Sequence, residues 1–170
     1  MSEAITPQPI IRWALERDLP DMLRIERESF PNPWTRDNFI ATLRERDCIG
    51  MAVVFGDRVL GFVIYEMKKQ KFRILNLAVD AAWRHKNIGT LMVKKLAAKL
   101  DAMRRNKIVL EVRETNLAAQ LFFKAIGFRA VKVVKGAYDD DEDAFLMQYT
   151  TGDALTDHML NVNDAAGETH

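Results

Sequence analysis

Apolar and polar residues alternate through "PIIRWALE", which predicts an opening strand. The period then changes. Leu19, Met22, Leu23 and Ile25 recur at helical spacing, with Asp18 as the expected cap and Pro20 in the first turn. "SFPNPW" breaks that helix with two prolines, and Thr35 caps a second one whose apolar face is Phe39, Ile40 and Leu43. Three apolar runs follow, "CIGMAVVF", "RVLGFVIYEM" and "FRILNLAVD". The short polar joints "GD" and "KKQK" between them predict two tight hairpins. A helix is expected over residues 88–104, with Leu91, Met92, Leu96 and Leu100 inward. "KIVLEVR" reads as a strand. Asn116 opens a helix through "LAAQLFFKAI" that stops at Gly127, a residue suited to a left-handed C-terminal position. "FRAVKVV" and "AFLMQYT" are the last two strands.

This order implies an α/β (α+β) fold: a mixed, mostly antiparallel central sheet of about seven strands, flanked by helices on both faces. No internal repeat is present. Residues 1–150 make one domain of a size that buries a real core. Residues 151–170 carry four acidic residues, no Lys or Arg and few large apolar groups, so a mostly disordered acidic tail is expected there.

Charge and cysteine content exclude several classes. Lys plus Arg is 25 against 24 for Asp plus Glu, which lacks the basic excess of a nucleic-acid binder. Cys48 is the only cysteine, so no internal disulfide forms, and its place at the start of an apolar strand suggests a core residue. The histidines, His85, His158 and His170, show no zinc-ligand spacing, and no metal is expected. "MSEAITPQPI" has no basic segment followed by an apolar run, and no apolar stretch approaches the roughly 18–20 residues of a membrane span. The expectation is a cytoplasmic protein with no membrane partner.

The stretch "WRHKNIGTLM" joins an apolar strand to an amphipathic helix. A helix N-terminus has free amide hydrogens and a partial positive charge, so a loop leading into one holds phosphate through its backbone. Arg84 and Lys86 add positive charge, and Gly89 removes a side chain where a ligand would approach. A plain basic turn accounts for the loop alone equally well.

Its surroundings favour the ligand loop, because here the chain resembles the GNAT superfamily of acetyl-CoA-dependent N-acetyltransferases. That family carries Arg or Gln, two variable residues, Gly, one variable residue, then Gly or Ala, after a strand and opening a long helix. The corresponding run is Arg84, His85, Lys86, Asn87, Ile88, Gly89, so asparagine replaces the first glycine. Asn and Asp are the non-glycine residues that best tolerate a left-handed backbone, and the loop shape survives. The resemblance implies that Arg84, His85, Lys86, Asn87, Ile88, Gly89 and Thr90 bind the pyrophosphate arm of acetyl-CoA. It implies also that Leu77, Ala78 and Val79, in "LNLAVD", meet the acetyl and pantetheine arm at a splayed strand end. "ESFPNPWT", "LEVRETNLAAQLFFKAIGF" and "GAYDDDEDAFLM" are similar to the bacterial ribosomal-protein alanine N-acetyltransferase branch. The likeness runs from about residue 10 to 150. The implied acceptor is therefore a protein or peptide N-terminus, with a ribosomal protein as the partner that the branch suggests; no oligomeric state is implied.

The branch places its base at the Glu of the Leu-Glu-Val-Arg strand, here Glu111; the other reading is a strand-end residue paired with Arg113 or Lys107. A carboxylate of ordinary pKa near 4.3 is a weak base for an amine and needs a water relay or burial. The branch's tyrosine acid corresponds to Phe123, which donates no proton, so Phe123 is expected only to border the coenzyme. Asn116 is a helix cap that, by resemblance, also touches the coenzyme. Phe30, Pro31 and Tyr138 are expected at the acceptor peptide; a proline-broken turn and an ordinary loop tyrosine explain them equally. The acidic run at 139–143 either attracts a cationic N-terminus or forms a solvated hairpin tip. Acetyl transfer to a small amine or amino acid, and binding of acetyl-CoA or a protein without turnover, remain the alternatives.

Overall fold

The computed structural model describes residues 7–152, so the expected acidic tail lies, beyond Gly152, outside the described residues. The elements are β1 (Ile10–Trp13), α1 (Leu19–Ser29), α2 (Arg36–Arg44), β2 (Cys48–Phe55), β3 (Arg58–Met67) and β4 (Lys71–Val79). They continue as α3 (Ile88–Leu100), β5 (Lys107–Arg113), α4 (Leu117–Ala125), β6 (Arg129–Val134) and β7 (Ala144–Thr150). The strands form one seven-stranded sheet in the order β1-β2-β3-β4-β5-β7-β6. Among the described residues only β4 and β5 run parallel, because α3 must cross the sheet between them, whereas short hairpins link β2 to β3 and β3 to β4.

Each face of the sheet carries a core. Leu19, Met22, Ile25 and Phe39 from α1 and α2 pack on Ala52, Val54, Phe62, Ile64 and Ala78. On the other face Ile88, Met92, Leu96 and Leu100 of α3, with Phe122 and Phe123 of α4, pack on Val53, Val63, Leu77, Ile108 and Leu110. Burial on both faces is why β2 and β3 read as continuous apolar runs. Gly61 on β3 lets α3 come close: an added Cβ would stand 3.0 Å from the Ala78 carbonyl and 3.1 Å from Ile88 Cγ2.

Two irregularities in β4 shape the site. Ile64 pairs with Asn76 and Tyr65 with Ile74, so Leu75 is an extra residue, a β-bulge. Leu75 packs toward α1 and α2, and Asn76 on that same side donates to Glu26 of α1 at 2.9 Å. The second irregularity is a divergence. β4 and β5 pair only through Lys71↔Lys107, Phe72↔Ile108 and Arg73↔Val109. From there residues 74–79 and 110–113 separate, leaving a slot between the strands' C-terminal ends.

Three local expectations are corrected. Helix α3 ends at Leu100, and a turn closing on Arg104 at φ +56° follows. Leu91 is 37% exposed; the buried row is 88, 92, 96 and 100, and Leu91 stands about 100° round the helix from Met92. Asp18 does not cap α1 with its side chain. Its backbone is already helical (φ −81°, ψ −17°), so the carboxylate turns back to the Leu15 amide at 2.7 Å and to Arg12 at 2.6 and 2.9 Å.

Candidate functional site

The loop after β4 is built by local turns. Asp80 caps a 3-10 turn, Ala81–Trp83, by accepting from the Ala82 amide at 3.0 Å. His85 and Asn87 then both take left-handed backbones, at φ +62° and +63°. Alternation of this kind turns successive amides inward, a concavity that suits an anion. Asn87 is the N-cap residue of α3 but supplies no side-chain cap, whereas Thr35 and Asn116 do cap α2 and α4. Thr90 Oγ1, in the first turn of α3, is buried without a hydrogen-bond partner. Lys86 sits over the Trp83 ring at 4.8 Å. These features fit a phosphate group. The Arg84 guanidinium, in contrast, turns away from the helix mouth: Nε donates to the Val79 carbonyl at 3.1 Å and Nη2 to Ser29 Oγ at 2.9 Å.

The loop is fixed to the fold at Asp80. Its buried carboxylate accepts from Arg24 at 3.0 Å and Arg58 at 3.2 Å. Burial alone would push this carboxyl up, but the Ala82 amide and the two guanidinium groups outweigh it and hold the group below its usual range. A depressed folded-state pKa stabilises the protein above the unfolded value, near 3.9, and that contribution is lost as pH falls through the folded value. Asp80→Asn is therefore expected to cost about 1–3 kcal/mol at pH 7, and the difference from the unchanged protein should shrink in urea titrations run below pH 4.

On the side of the slot that faces α1 and α2 stand the alternate residues of β5. Leu110 and Val112 enter the α3 and α4 core, so Glu111 and Arg113 point the other way. Glu111 pairs with Arg73 on β4 at 3.5 Å rather than with Arg113 or Lys107. Arg113 Nη1 donates to Asp140 at 2.9 Å and Glu142 at 2.7 Å, and its guanidinium lies 3.8 Å from the Tyr138 ring centroid. Burial pushes the Tyr138 phenol up to about 12; the Arg113 cation opposes this and the Glu111 carboxylate adds to it. The phenol therefore keeps its proton throughout the neutral range.

Two adjoining cavities meet at Arg113 and Asn32. One, of 280 Å³, is lined by Ser29, Phe30, Pro31, Thr115 and Asn116 as well. The other, of 540 Å³, is lined also by Ala137, Tyr138, Asp139 and Asp140. The acidic run is thus largely a set of hairpin contacts: Asp140 and Glu142 hold Arg113, and Asp143 holds Lys135 at 2.9 Å.

Most sequence-predicted residues converge here. Leu77, Ala78 and Val79 form the β4 end, and residues 84–90 the loop beside it. Phe30, Pro31 and Asn116 share the smaller cavity, with Tyr138 in the next. Asn116 also caps α4, accepting from the Ala119 amide at 3.1 Å. Phe123 is fully buried, its ring edge-on to Phe122 and Phe128 in the α4 core. Cys48 is only half-buried, at the lip of a groove with Ile49 and Gly50. Among the described residues no cluster of His, Cys, Asp or Glu could hold a metal, and no helix is long and apolar enough to cross a membrane.

Sequence reasoning missed Glu26, Asn32, Arg113 and the Arg84–Ser29 contact. Glu26 is fully buried and accepts from the Trp34 amide and from Asn76, both at 2.9 Å. Its signal was visible, since Glu26 continues the spacing of the buried stripe Leu19, Met22, Leu23.

An open sheet whose two parallel strands part, with an anion-ready helix mouth beside one strand end and polar cavities beside the other, is an arrangement that suits a group-transfer enzyme. The chain belongs to the acetyltransferase (GNAT) family, whose model matches residues 19–128, and it is an N-acetyltransferase. It is 34% identical to an uncharacterized N-acetyltransferase of Methanocaldococcus jannaschii, over 81% of this chain and 89% of that protein. It is 31% identical to an N-alpha-acetyltransferase of Sulfolobus acidocaldarius, over the same shares of each. The [ribosomal protein bS18]-alanine N-acetyltransferase of Salmonella typhimurium is 26% identical over 76% of this chain and 89% of its own length. Among solved structures, Ard1 from Thermoplasma volcanium superposes with a TM-score of 0.77 at 24% identity, covering 84% of this chain and 97% of that one.

Proposed function

We propose that the protein transfers the acetyl group of acetyl-CoA to the α-amino group of a polypeptide N-terminus in the cytoplasm, with an N-terminal alanine of a ribosomal protein as the narrower substrate. The observation that carries this reading is the slot itself. The loop at 84–90 opens beside the β4 end, while Phe30, Pro31 and Tyr138 border the cavities on the opposite approach. Glu111 stands on β5 at the slot, facing the acceptor side. The uncharged amine attacks the thioester carbonyl, Glu111 receives its proton directly or through water, and the thiolate leaves. The amides of the β4 end orient the acetyl arm, and the first turn of α3 takes the pyrophosphate.

Amine acidity favours the terminal amine. An α-amino group, with pKa near 7.7–8.0, is about a tenth deprotonated at pH 7, whereas a lysine amine near 10.4 is scarcely so. A site with one carboxylate as its base suits the former. Turnover of acetyl-CoA with short peptides differing in their first residue, with a polyamine and free amino acids as controls, tests the reading. Acetylation at the peptide N-terminus is expected. Turnover on the polyamine or amino acids alone would establish a small-amine enzyme, and binding without turnover on any amine a non-catalytic module.

Phe123 makes a further difference measurable. Thiolate departure without a tyrosine there rests on solvent or on the modest pKa of the thiol, near 8.5 for a cysteine-like group. Phe123→Tyr is expected to raise the rate below about pH 8, where expulsion of the thiolate gains most from an acid. Coincident pH–rate profiles of the two proteins would show either that protonation of the leaving group is not limiting or that residue 123, buried against Phe122 and Phe128, does not face the sulfur.

A further inference from the structure

Arg84 carries its main chain in the donor loop and its side chain on the acceptor side. Nε donates to the carbonyl of Val79, the last residue of β4, and Nη2 to Ser29 Oγ. Ser29 is the final residue of α1 and lines the smaller acceptor cavity together with Phe30, Pro31 and Asn32. Its hydroxyl proton is committed to the Ile25 carbonyl at 2.6 Å, so its lone pairs face the guanidinium. Phe30 then leaves the helix with an extended backbone. The point at which the chain departs from α1 to form the acceptor wall is therefore held by a residue of the donor loop.

We propose that Arg84 is a positioning residue for the acceptor: through Ser29 it couples occupancy of the donor loop to the placement of the Phe30–Pro31–Asn32 wall. The inference rests on the acetyl-transfer reading. Arg84 acts through its neighbours, since a guanidinium engaged at Val79 and Ser29 is turned from the α3 mouth. A bound pyrophosphate stiffens the main chain of residues 84–90, and the two bonds of the guanidinium carry that restraint to α1. Arginine suits the task because its planar fork donates in two fixed directions at once. A purely structural bond would change melting temperature without making the acceptor wall respond to the coenzyme.

The test compares the unchanged protein with Ser29→Ala, Ser29→Thr, Arg84→Gln and the Ser29→Ala/Arg84→Gln double variant. Alanine is a good helix former, so the fold of α1 should survive the first change. Coenzyme A affinity is measured by calorimetry, amide exchange at Phe30, Asn32 and Trp34 with and without coenzyme A, and peptide kinetics with acetyl-CoA. Coenzyme A should slow exchange at these amides in the unchanged protein and in Ser29→Thr, but not in Ser29→Ala or Arg84→Gln. Peptide KM should rise about fivefold in Ser29→Ala, the loss of one ordinary hydrogen bond, with kcat and coenzyme A affinity held within about twofold. The double variant should raise peptide KM no further than Arg84→Gln alone. Additive effects, or coenzyme-dependent protection that persists in Ser29→Ala, would overturn the coupling while leaving the acetyl-transfer reading intact. Failure of the unchanged protein to bind coenzyme A would remove that reading and this inference together.

Discussion

Glu111→Gln is expected to lower the rate of acetyl transfer by about a hundredfold or more while acetyl-CoA affinity is retained. Glutamine keeps the shape of the side chain and removes only its capacity to take a proton. The surroundings make the experiment clean. Glu111 lies on β5 with its β7 register partner Leu146 fixed by the ladder, and its backbone neighbours Leu110 and Val112 are anchored in the core. The ion pair that is lost among the described residues, to Arg73, joins side chains that are 29% and 41% exposed. Exposed pairs of this kind contribute about 0–1 kcal/mol, so melting should barely move. Single-turnover rates, with acetyl-CoA binding measured separately, distinguish loss of chemistry from loss of binding. Unchanged single-turnover rates would reduce Glu111 to the partner of Arg73.

What the sequence disclosed and what it hid divide along chain distance. Hairpins, caps and breaks were legible because they depend on neighbours within a few residues. Gly56 turns at φ +59° between β2 and β3, and Gly127 ends α4 at φ +114°. Asn87 was legible for the same reason: a residue that tolerates the left-handed region stands where the loop requires it, at φ +63°. The partners of charged groups were not legible. Arg84 meets Ser29 across 55 residues and Asn76 meets Glu26 across 50; no local period encodes such contacts. Glu111 illustrates the limit, because pairing with a nearby cation was foreseen but the parallel register of β4 and β5 selects Arg73. Asp18 failed in the opposite direction. Its type and position suited a cap, yet a 3-10 turn at Glu16–Asp18 had already committed its backbone. Glu26 was a polar interruption of an apolar stripe, and such a residue is buried only when its hydrogen bonds are met. The amide of Trp34 and the side chain of Asn76 do so, and the latter faces α1 because the bulge at Leu75 turns it there.

The bulge also divides β4 into two parts with different partners. Before it, β4 is an ordinary sheet member, paired on both sides through Arg73. Beyond it the strand keeps β3 on one side and gives up β5 on the other. Leu77 and Val79 remain in the α3 and α4 core and Ala78 in the opposite one. The strand is therefore held rigidly by its side chains while the backbone edge toward β5 has no ladder partner. A rigid edge of amides and carbonyls is what an extended amide-containing arm such as pantetheine would pair with.

Gly89→Val is expected to weaken acetyl-CoA binding by at least about a hundredfold, or some 2.7 kcal/mol. Gly89 is buried in the first turn of α3, two residues after the left-handed Asn87, where an anion must approach the amides closely. A β-branched side chain there stands in the path of the phosphate oxygens and restricts its own rotamers in the helix. The loop carries its own control. Asn87→Gly should leave affinity equal or improve it, since glycine takes φ near +63° without strain and removes a side chain from the same concavity. The opposite signs matter, because a general weakening of the α3 terminus would lower affinity in both variants. Gly89→Ala, with a smaller obstruction and a better helix former, should fall between the unchanged protein and valine. Calorimetric titration of the four proteins, each first shown to melt cooperatively, reads the series directly. Normal binding by Gly89→Val would mean that the coenzyme does not enter at this helix mouth, and the unpartnered Thr90 hydroxyl would then need another explanation.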